Sequence, residues 1–245
     1  MQRFTKAMAT IMLMMVLFCT VGCNKTDDPN NGGNDNGGNG GINLNGHEYV
    51  DLGLPSGTLW ATCNVGATSP EDYGYYFAWG ETRPKDVYNW NTYKWSNGSY
   101  DQLTKYCTNS SFGYNGYVDN MTTLQTSDDA AKANWGGDWH TPTQEEWQEL
   151  IDYSSSSIWT TQNGVNGRLF TGTNGESIFF PDAGYRCDIL LTISPYFGSY
   201  WSNSLYDENP NEAKHFTFNS RIFDMSRFYR FVGFPVRPVC SVRQN

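Results

Sequence analysis

Across residues 42–245 the sequence shows helical periodicity in only two places, and that scarcity constrains the fold more than any other feature. The stronger place is 143–154. Thr143 and Glu146 form a capping-box pair, Pro142 sits just outside, and Trp147, Leu150 and Ile151 follow at i, i+3 and i+4 on one face. The weaker place is 127–135, with Ser127 as cap and Asp128 and Asp129 in the first turn. Elsewhere the pattern is short β-like runs between turns, at 47–52, 58–65, 75–79, 168–171, 177–180, 200–205, 213–218 and 235–239. With 25 Gly and 10 Pro the chain is rich in turns, and 17% charged residues is too few for a long helical bundle. No linker-like composition interrupts 42–245. The sequence therefore predicts one α+β domain with two helices, short antiparallel strands and long aromatic-rich loops.

What precedes the domain reads as an export leader and a tether. Arg3 and Lys6 give a positive start, and the apolar run 11–18 (IMLMMVLF) is too short to cross a bilayer, which takes about 20 residues. Thr20, Val21 and Gly22 then lead into Cys23, which resembles the lipobox of bacterial lipoproteins, with Thr20 where Leu, Val or Ile is usual. That resemblance implies removal of residues 1–22 and acylation of Cys23. The following Asn-Lys-Thr-Asp-Asp (24–28) resembles the surface-export signal of Bacteroidetes lipoproteins. Residues 29–41 (PNNGGNDNGGNGG) have almost no apolar surface and complete a flexible tether over 23–41. The expectation is a monomer at the outer membrane, exposed on the cell surface and touching the membrane only through its lipid. Sixteen Lys and Arg against 25 Asp and Glu leave a net charge of −9, which argues against a nucleic-acid partner.

The strings YVDLGLPSGTLWATCNVGA (49–67), YGYYFAWGET (73–82), NWGGDWHTPTQEEWQEL (134–150), NGVNGRLFTGTNGESIFFPDAGYR (163–186), YWSNSLY (200–206) and GFPVRPV (233–239) occur in that order. In this the chain resembles the Fibrobacter succinogenes major paralogous domain family of Bacteroidetes surface proteins, over nearly all of 42–240. The resemblance implies a C-type-lectin-like fold related to formylglycine-generating enzymes, and a location more than an activity. His140 departs from the pattern, which usually has Arg there.

Catalytic chemistry has little to rest on. His47, His140 and His215 lie far apart in sequence and none has metal spacing. No CxxC occurs, and Cys187 and Cys240 are too far apart for the cysteine pair of formylglycine-generating enzymes. No cofactor or metal is expected, and the protein is read as a non-enzyme. Cys63, Cys107, Cys187 and Cys240 allow three full disulfide pairings. Cys187–Cys240 is favoured because both flank expected strands, and buried free thiols remain an alternative. Calcium-dependent lectins of this fold carry Glu-Pro-Asn or Gln-Pro-Asp followed by Trp-Asn-Asp. Here Glu208-Asn209-Pro210 has the wrong order, with Trp201-Ser202-Asn203 before it.

The binding candidate is the C-terminal stretch 216–236, FTFNSRIFDMSRFYRFVGFPV. Its Ser-Arg-Phe-Tyr-Arg-Phe-Val core fits neither strict alternation nor a helical stripe, and Arg and aromatics are enriched at interface hot spots. Phe223, Asp224, Ser226, Arg227, Phe228, Tyr229, Phe231 and Val232 stand where relatives have Asn or Tyr runs. That position resembles the variable region of diversity-generating retroelement targets, where altered Asn codons can yield these residues; Met225 cannot arise that way. The expectation is a binding or adhesion protein with an exposed loop over 223–232. Arg221, Arg227 and Arg230 would pair with a protein or glycan ligand, set among Phe228, Tyr229, Phe231 and Trp201. The alternative is calcium-independent glycan binding on a stacking platform of Trp90, Tyr93 and Trp95.

Overall fold

The computed structural model describes residues 43–192 and 197–241. The leader, Cys23 and the tether lie outside them. In chain order come β1 (Asn43–Leu44), β2 (His47–Asp51), β3 (Thr58–Ala61), α1 (Ala130–Trp135), α2 (Gln144–Tyr153), β4 (Ser156–Gln162), β5 (Val165–Thr171) and β6 (Ser177–Pro181). Then follow β7 (Tyr185–Cys187), β8 (Leu190–Thr192), β9 (Gly198–Leu205), β10 (Glu212–Phe218), β11 (Phe223–Tyr229) and β12 (Val239–Ser241). The strands pair antiparallel as β1-β2-β3-β12, the meander β4-β5-β6, the hairpin β7-β8 and the meander β9-β10-β11. This is a mostly-sheet α+β protein, the class the sequence predicts. Two hairpins close on Asn-Gly turns, Asn45-Gly46 and Asn163-Gly164, with φ of 52° and 81° and of 47° and 85°. Positive φ at both positions gives a turn whose twist matches the flanking strands.

The capped helix is confirmed in detail. The Thr143 side chain accepts from the Glu146 N–H at 3.0 Å, and the Glu146 carboxylate accepts from the Thr143 N–H at 2.8 Å. The same carboxylate lies 3.0 Å from His140 Nε2; burial lowers the imidazole's pKa, but the hydrogen bond and charge of Glu146 outweigh it and raise it above the usual value. The first helix is shorter than expected. Residues 126–128 wind as a 3-10 turn and the cap is Asp129 rather than Ser127. Asp129 accepts from Lys132 N at 3.1 Å and from Thr141 Oγ1 at 2.8 Å, tying the two helix starts together.

Two expected strands and one expected loop change. At 75–79 only a single bridge forms, between Phe77 and Phe234. At 235–239 only Val239 enters a strand, because Pro235 and Pro238 lack the N–H a ladder needs. The expected loop at 223–232 is instead strand β11 through Tyr229, paired residue for residue with β10.

Trp147, on the inward face of α2, joins most of these elements. Its ring lies 4.7 Å from Trp60 of β3, 5.5 Å from Phe180 of β6, 6.0 Å from Tyr200 of β9 and 4.6 Å from Phe216 of β10, the last stacked at 15°. Leu150, Phe170 and Phe218 belong to the same cluster. A second cluster gathers Phe77, Trp79, Tyr106, Trp201 and Phe234 beneath the irregular chain 62–129. Trp147→Ala should cost about 3–5 kcal/mol, the range for deleting a large core aromatic. Thr143→Ala, which removes one cap bond and no packing, should cost about 1 kcal/mol. Urea unfolding of the two variants beside wild type checks the difference.

Candidate ligand-binding face

The structure splits the sequence candidates into an exposed set and a buried set. Strand β11 is an edge strand, and Asp224, Ser226, Arg227, Phe228 and Tyr229 are exposed along it, with Arg221 and Ile222 in the turn before it. Phe228 keeps 38% and Tyr229 44% of its surface. Phe223 and Met225 alternate inward onto the Trp147 cluster, where Phe223 meets Phe170 at 5.3 Å and lies under the Arg168 guanidinium at 4.2 Å. Arg227 is held in place, with Nε 3.2 Å from Glu212 and the guanidinium 4.6 Å from the Tyr206 ring.

Arg230, Val232 and Trp201 are not on this surface. Each is at most 1% exposed, so none of them can meet a ligand there as the sequence suggested. Arg230 turns inward because its donors find main-chain carbonyls: Nη1 donates to Tyr106 O at 3.0 Å and Pro210 O at 2.7 Å, and Nη2 to Lys105 O at 3.0 Å. Its Nε donates to Tyr93 Oη at 2.9 Å. Trp201 donates from Nε1 to Phe77 O at 2.7 Å and packs 4.4 Å from Phe234.

The glycan platform is likewise broken up. Tyr93 is 2% exposed, with its hydroxyl donating to Trp79 O at 2.7 Å. Trp95 is half-buried, donates to Gly80 O at 2.8 Å, and has Lys94 and Lys105 over its ring at 4.1 and 4.7 Å. Trp90 survives, and in a new setting. It lies 5.0 Å from half-buried Phe231 and 6.4 Å from Tyr229, which stacks on Phe231 at 5.9 Å and 11°. On the other side of Tyr229, Phe228 meets Tyr185 of β7 at 6.1 Å. Segments around 90, 185 and 228–231 thus make one aromatic face. Beside it runs the β7-β8 hairpin, whose Ile189, Leu190 and Leu191 are 71%, 65% and 37% exposed and whose Asp188 bonds Asn89 at 2.9 Å. The sequence reading missed Tyr185 and this hairpin. An uninterrupted Ile-Leu-Leu beside a short turn was the available signal.

The Cys187–Cys240 disulfide does not form. Cys187 is a free thiol on β7, while Cys240 lies in β12 opposite Leu59, in a different sheet. Asp128 has partners of its own: Lys105 Nζ at 2.5 Å, the Tyr106 hydroxyl at 2.6 Å and Lys94 Nζ at 3.7 Å. Burial alone would raise its pKa, but the hydrogen bonds from Lys105 and Tyr106 outweigh it and the carboxyl stays below its usual range. Among the described residues no group of three or more His, Cys, Asp or Glu is placed to hold a metal, and no helix is long and apolar enough to cross a membrane.

His215 lies directly beneath the face, 6.2 Å from Phe228 and 4.9 Å from Phe234, and only 4% exposed. Burial pushes its pKa down to about 3. Asp182, between β6 and β7, is also buried, and burial pushes its carboxyl up to about 7. Compared with known protein families, curated proteins and solved structures, the chain finds no match.

Two predictions follow from this geometry. Tyr229→Ala should change stability by no more than about 0.5 kcal/mol. Arg230→Ala, one residue on, empties a buried guanidinium site and should cost at least about 3 kcal/mol. Thermal unfolding separates them. The pH dependence of stability has two opposing parts. The unfolded chain binds a proton at His215 that the native state refuses, so stability is lost as pH falls from 6.5 toward 3. At Asp182 the native state keeps a proton that the unfolded chain releases, so stability is lost as pH rises from 3.8 to about 7. Asp182→Asn removes the second part. Its stability should rise more steeply than wild type from about pH 4 to 6.5 and exceed wild type at pH 8, as read by urea unfolding across that range.

Proposed function

We propose that this chain is a surface-anchored, non-catalytic ligand-binding protein, and that its ligand meets the face formed by β11 with Trp90, Phe231 and Tyr185. One observation carries this reading. Aromatic side chains from three separate segments converge beside an exposed arginine on an edge strand, where burying Phe228 and Tyr229 in their own core would have been the ordinary outcome. Aromatics and Arg bring large contact area at low rotamer cost, so binding would come from area burial centred on Phe228 and Tyr229, with Arg221 and Arg227 pairing to acidic or carbonyl groups of the ligand.

The rest of the sequence reading fits around this face as a proposal. The lipobox-like Cys23 and the Gly/Asn tether would hold the domain at the outer membrane with the face free to turn outward. The C-type-lectin-like fold of the resembled family is compatible with two helices, antiparallel meanders and a long irregular segment. A second reading, glycan stacking, keeps support from Trp90 among its three platform residues, because Trp90, though half-buried, lies edge-on to exposed Tyr229 of the same face.

The purified protein, applied to arrays of glycans and of extracellular proteins, should show saturable binding that a Phe228→Ala, Tyr229→Ala double variant loses while keeping its fold. Unchanged binding in that variant would remove the face from consideration, and turnover on a hydrolase panel would overturn the non-catalytic reading. Sugar binding lost in Trp90→Ala would select the glycan alternative. For the anchor, a clickable fatty acid should label wild type and not Cys23→Ser; a labelled variant would refute the lipid attachment.

A further inference from the structure

The two edges of the β9-β10-β11 sheet are finished differently. Irregular chain seals the outer side of β9: Leu124 N donates to Asn203 O at 2.9 Å, Leu205 N to Thr122 O at 2.8 Å and Asn203 N to Pro142 O at 2.8 Å. The outer side of β11 has no neighbouring strand.

Register decides which of its groups point outward. β10 and β11 pair without a bulge from Glu212 opposite Tyr229 to Phe218 opposite Phe223. Just beyond each end, Arg230 N donates to Asn211 O and Asn219 N donates to Ile222 O. Bonded pairs in an antiparallel ladder recur at every second residue, so both ends set the same phase. Asp224, Ser226 and Phe228 therefore bond to β10, while the main-chain groups of Phe223, Met225, Arg227 and Tyr229 point away from it. The Met225 N–H is taken by the Asp224 carboxylate at 2.7 Å, and Tyr229 O by Val232 N at 3.1 Å. Among the described residues nothing pairs with the outward N–H and C=O of Arg227.

Proteins commonly blunt such an edge with charged side chains, above all Lys, with Pro or with a bulge. Residues 223–229 have no Lys, Pro or bulge, and of their two charges Arg227 pairs with Glu212 and Asp224 with the Met225 N–H. Strand β4 is also an edge, but its exposed side chains are Ser156, Ile158 and Thr161, without the Arg and aromatics that flank β11.

Resting on the binding-face reading above, the geometry points to strand addition: an extended segment of a protein partner pairs with the outer edge of β11. The open groups alternate donor and acceptor at strand spacing, which a polypeptide backbone matches and a sugar's hydroxyls do not. Cross-strand pairing then sets the partner's side chains. Those beside Phe228 are aromatic or β-branched, and those beside Arg227 are acidic.

The probe is a set of linear peptides selected by display against the full-length protein. Arg227→Ala removes the side chain and keeps the N–H. Arg227→Pro removes both, and by the register it breaks no bond to β10, as proline on the solvent side of an edge allows. The selected peptides should lose about tenfold or more in affinity for Arg227→Pro relative to Arg227→Ala, the effect of losing one main-chain hydrogen bond. Equal affinity for the two variants would overturn the proposal. A second measurement needs no variant. With peptide bound to wild type, the amides of Arg227 and Tyr229 should exchange more slowly, while Ser226 and Phe228, already bonded to β10, should change little. Unprotected amides at 227 and 229 in the bound state would also overturn it. Glycan binding at the face with no peptide selected would sink strand addition and leave the binding face standing. A wild-type dimer that Arg227→Pro dissolves would assign the edge to a second copy and refute the partner segment.

Discussion

A guanidinium with no carboxylate partner holds the irregular half of this protein to its sheets. Arg230 is fully buried, and burying an unpaired charge costs several kcal/mol unless its donors are satisfied. Here the main-chain carbonyls of Lys105, Tyr106 and Pro210 and the Tyr93 hydroxyl accept from it, and the rings of Trp79, Tyr93 and Tyr106 lie 5.0 to 5.8 Å from its centre. Those partners come from three stretches of chain that share no strand pairing with one another. Arg230 directly follows Tyr229, the last residue of β11, so the group that fixes the long loop also sits where the exposed strand stops.

The loop 62–129 poses one problem throughout. A buried segment without regular structure still has to satisfy its carbonyls. Aromatic residues with a polar end solve it repeatedly: Tyr88 donates to Tyr76 O, Tyr93 to Trp79 O and Trp95 to Gly80 O, while Tyr76 and Trp79 donate out of the loop to Ala183 O and Ser202 O. Trp139 does the same for Leu44 O, next to the first hairpin. Nine Trp and 16 Tyr are therefore more than apolar filling. Whereas the buried Trp60 Nε1 has no partner among the described residues, the bonded ones above bring core area at one end and a donor at the other, which a leucine or phenylalanine could not. Arg237, buried at the β3 side, serves likewise by donating to Ala61 O and Thr62 O, and burial pushes its pKa down to about 10.

This division of labour bears on the proposed binding face. Because Arg230, Val232 and Phe234 anchor the chain from below, the exposed residues of β11 carry little of the folding energy, yet they sit on a paired strand and not on a mobile loop. A face of this kind is preorganised: its side chains can vary while the backbone that displays them stays in register, and less ordering cost falls on binding.

How much of this could be read from the residues differs by element. The sequence determined α2 outright, because its capping box and i, i+3, i+4 stripe are local signals that the tertiary structure only had to accept. Most of β2, β3, β5, β6, β9 and β10 were legible for the same reason, as was the presence of a surface near the C-terminus. Only the tertiary structure decided which of its residues face out. Arg227 and Arg230 are the same residue type three positions apart, and nothing local separates them. What separates them is the arrival of the carbonyls of Lys105, Tyr106 and Pro210 around one guanidinium and not the other. Trp90 and Tyr93 divide in the same way, one left half-buried beside Tyr229 and the other closed over by Trp79 and Arg230. Burial of a side chain with both an apolar body and a polar end depends on whether a distant partner meets that end, and such partners are set by the fold and not by neighbours in sequence.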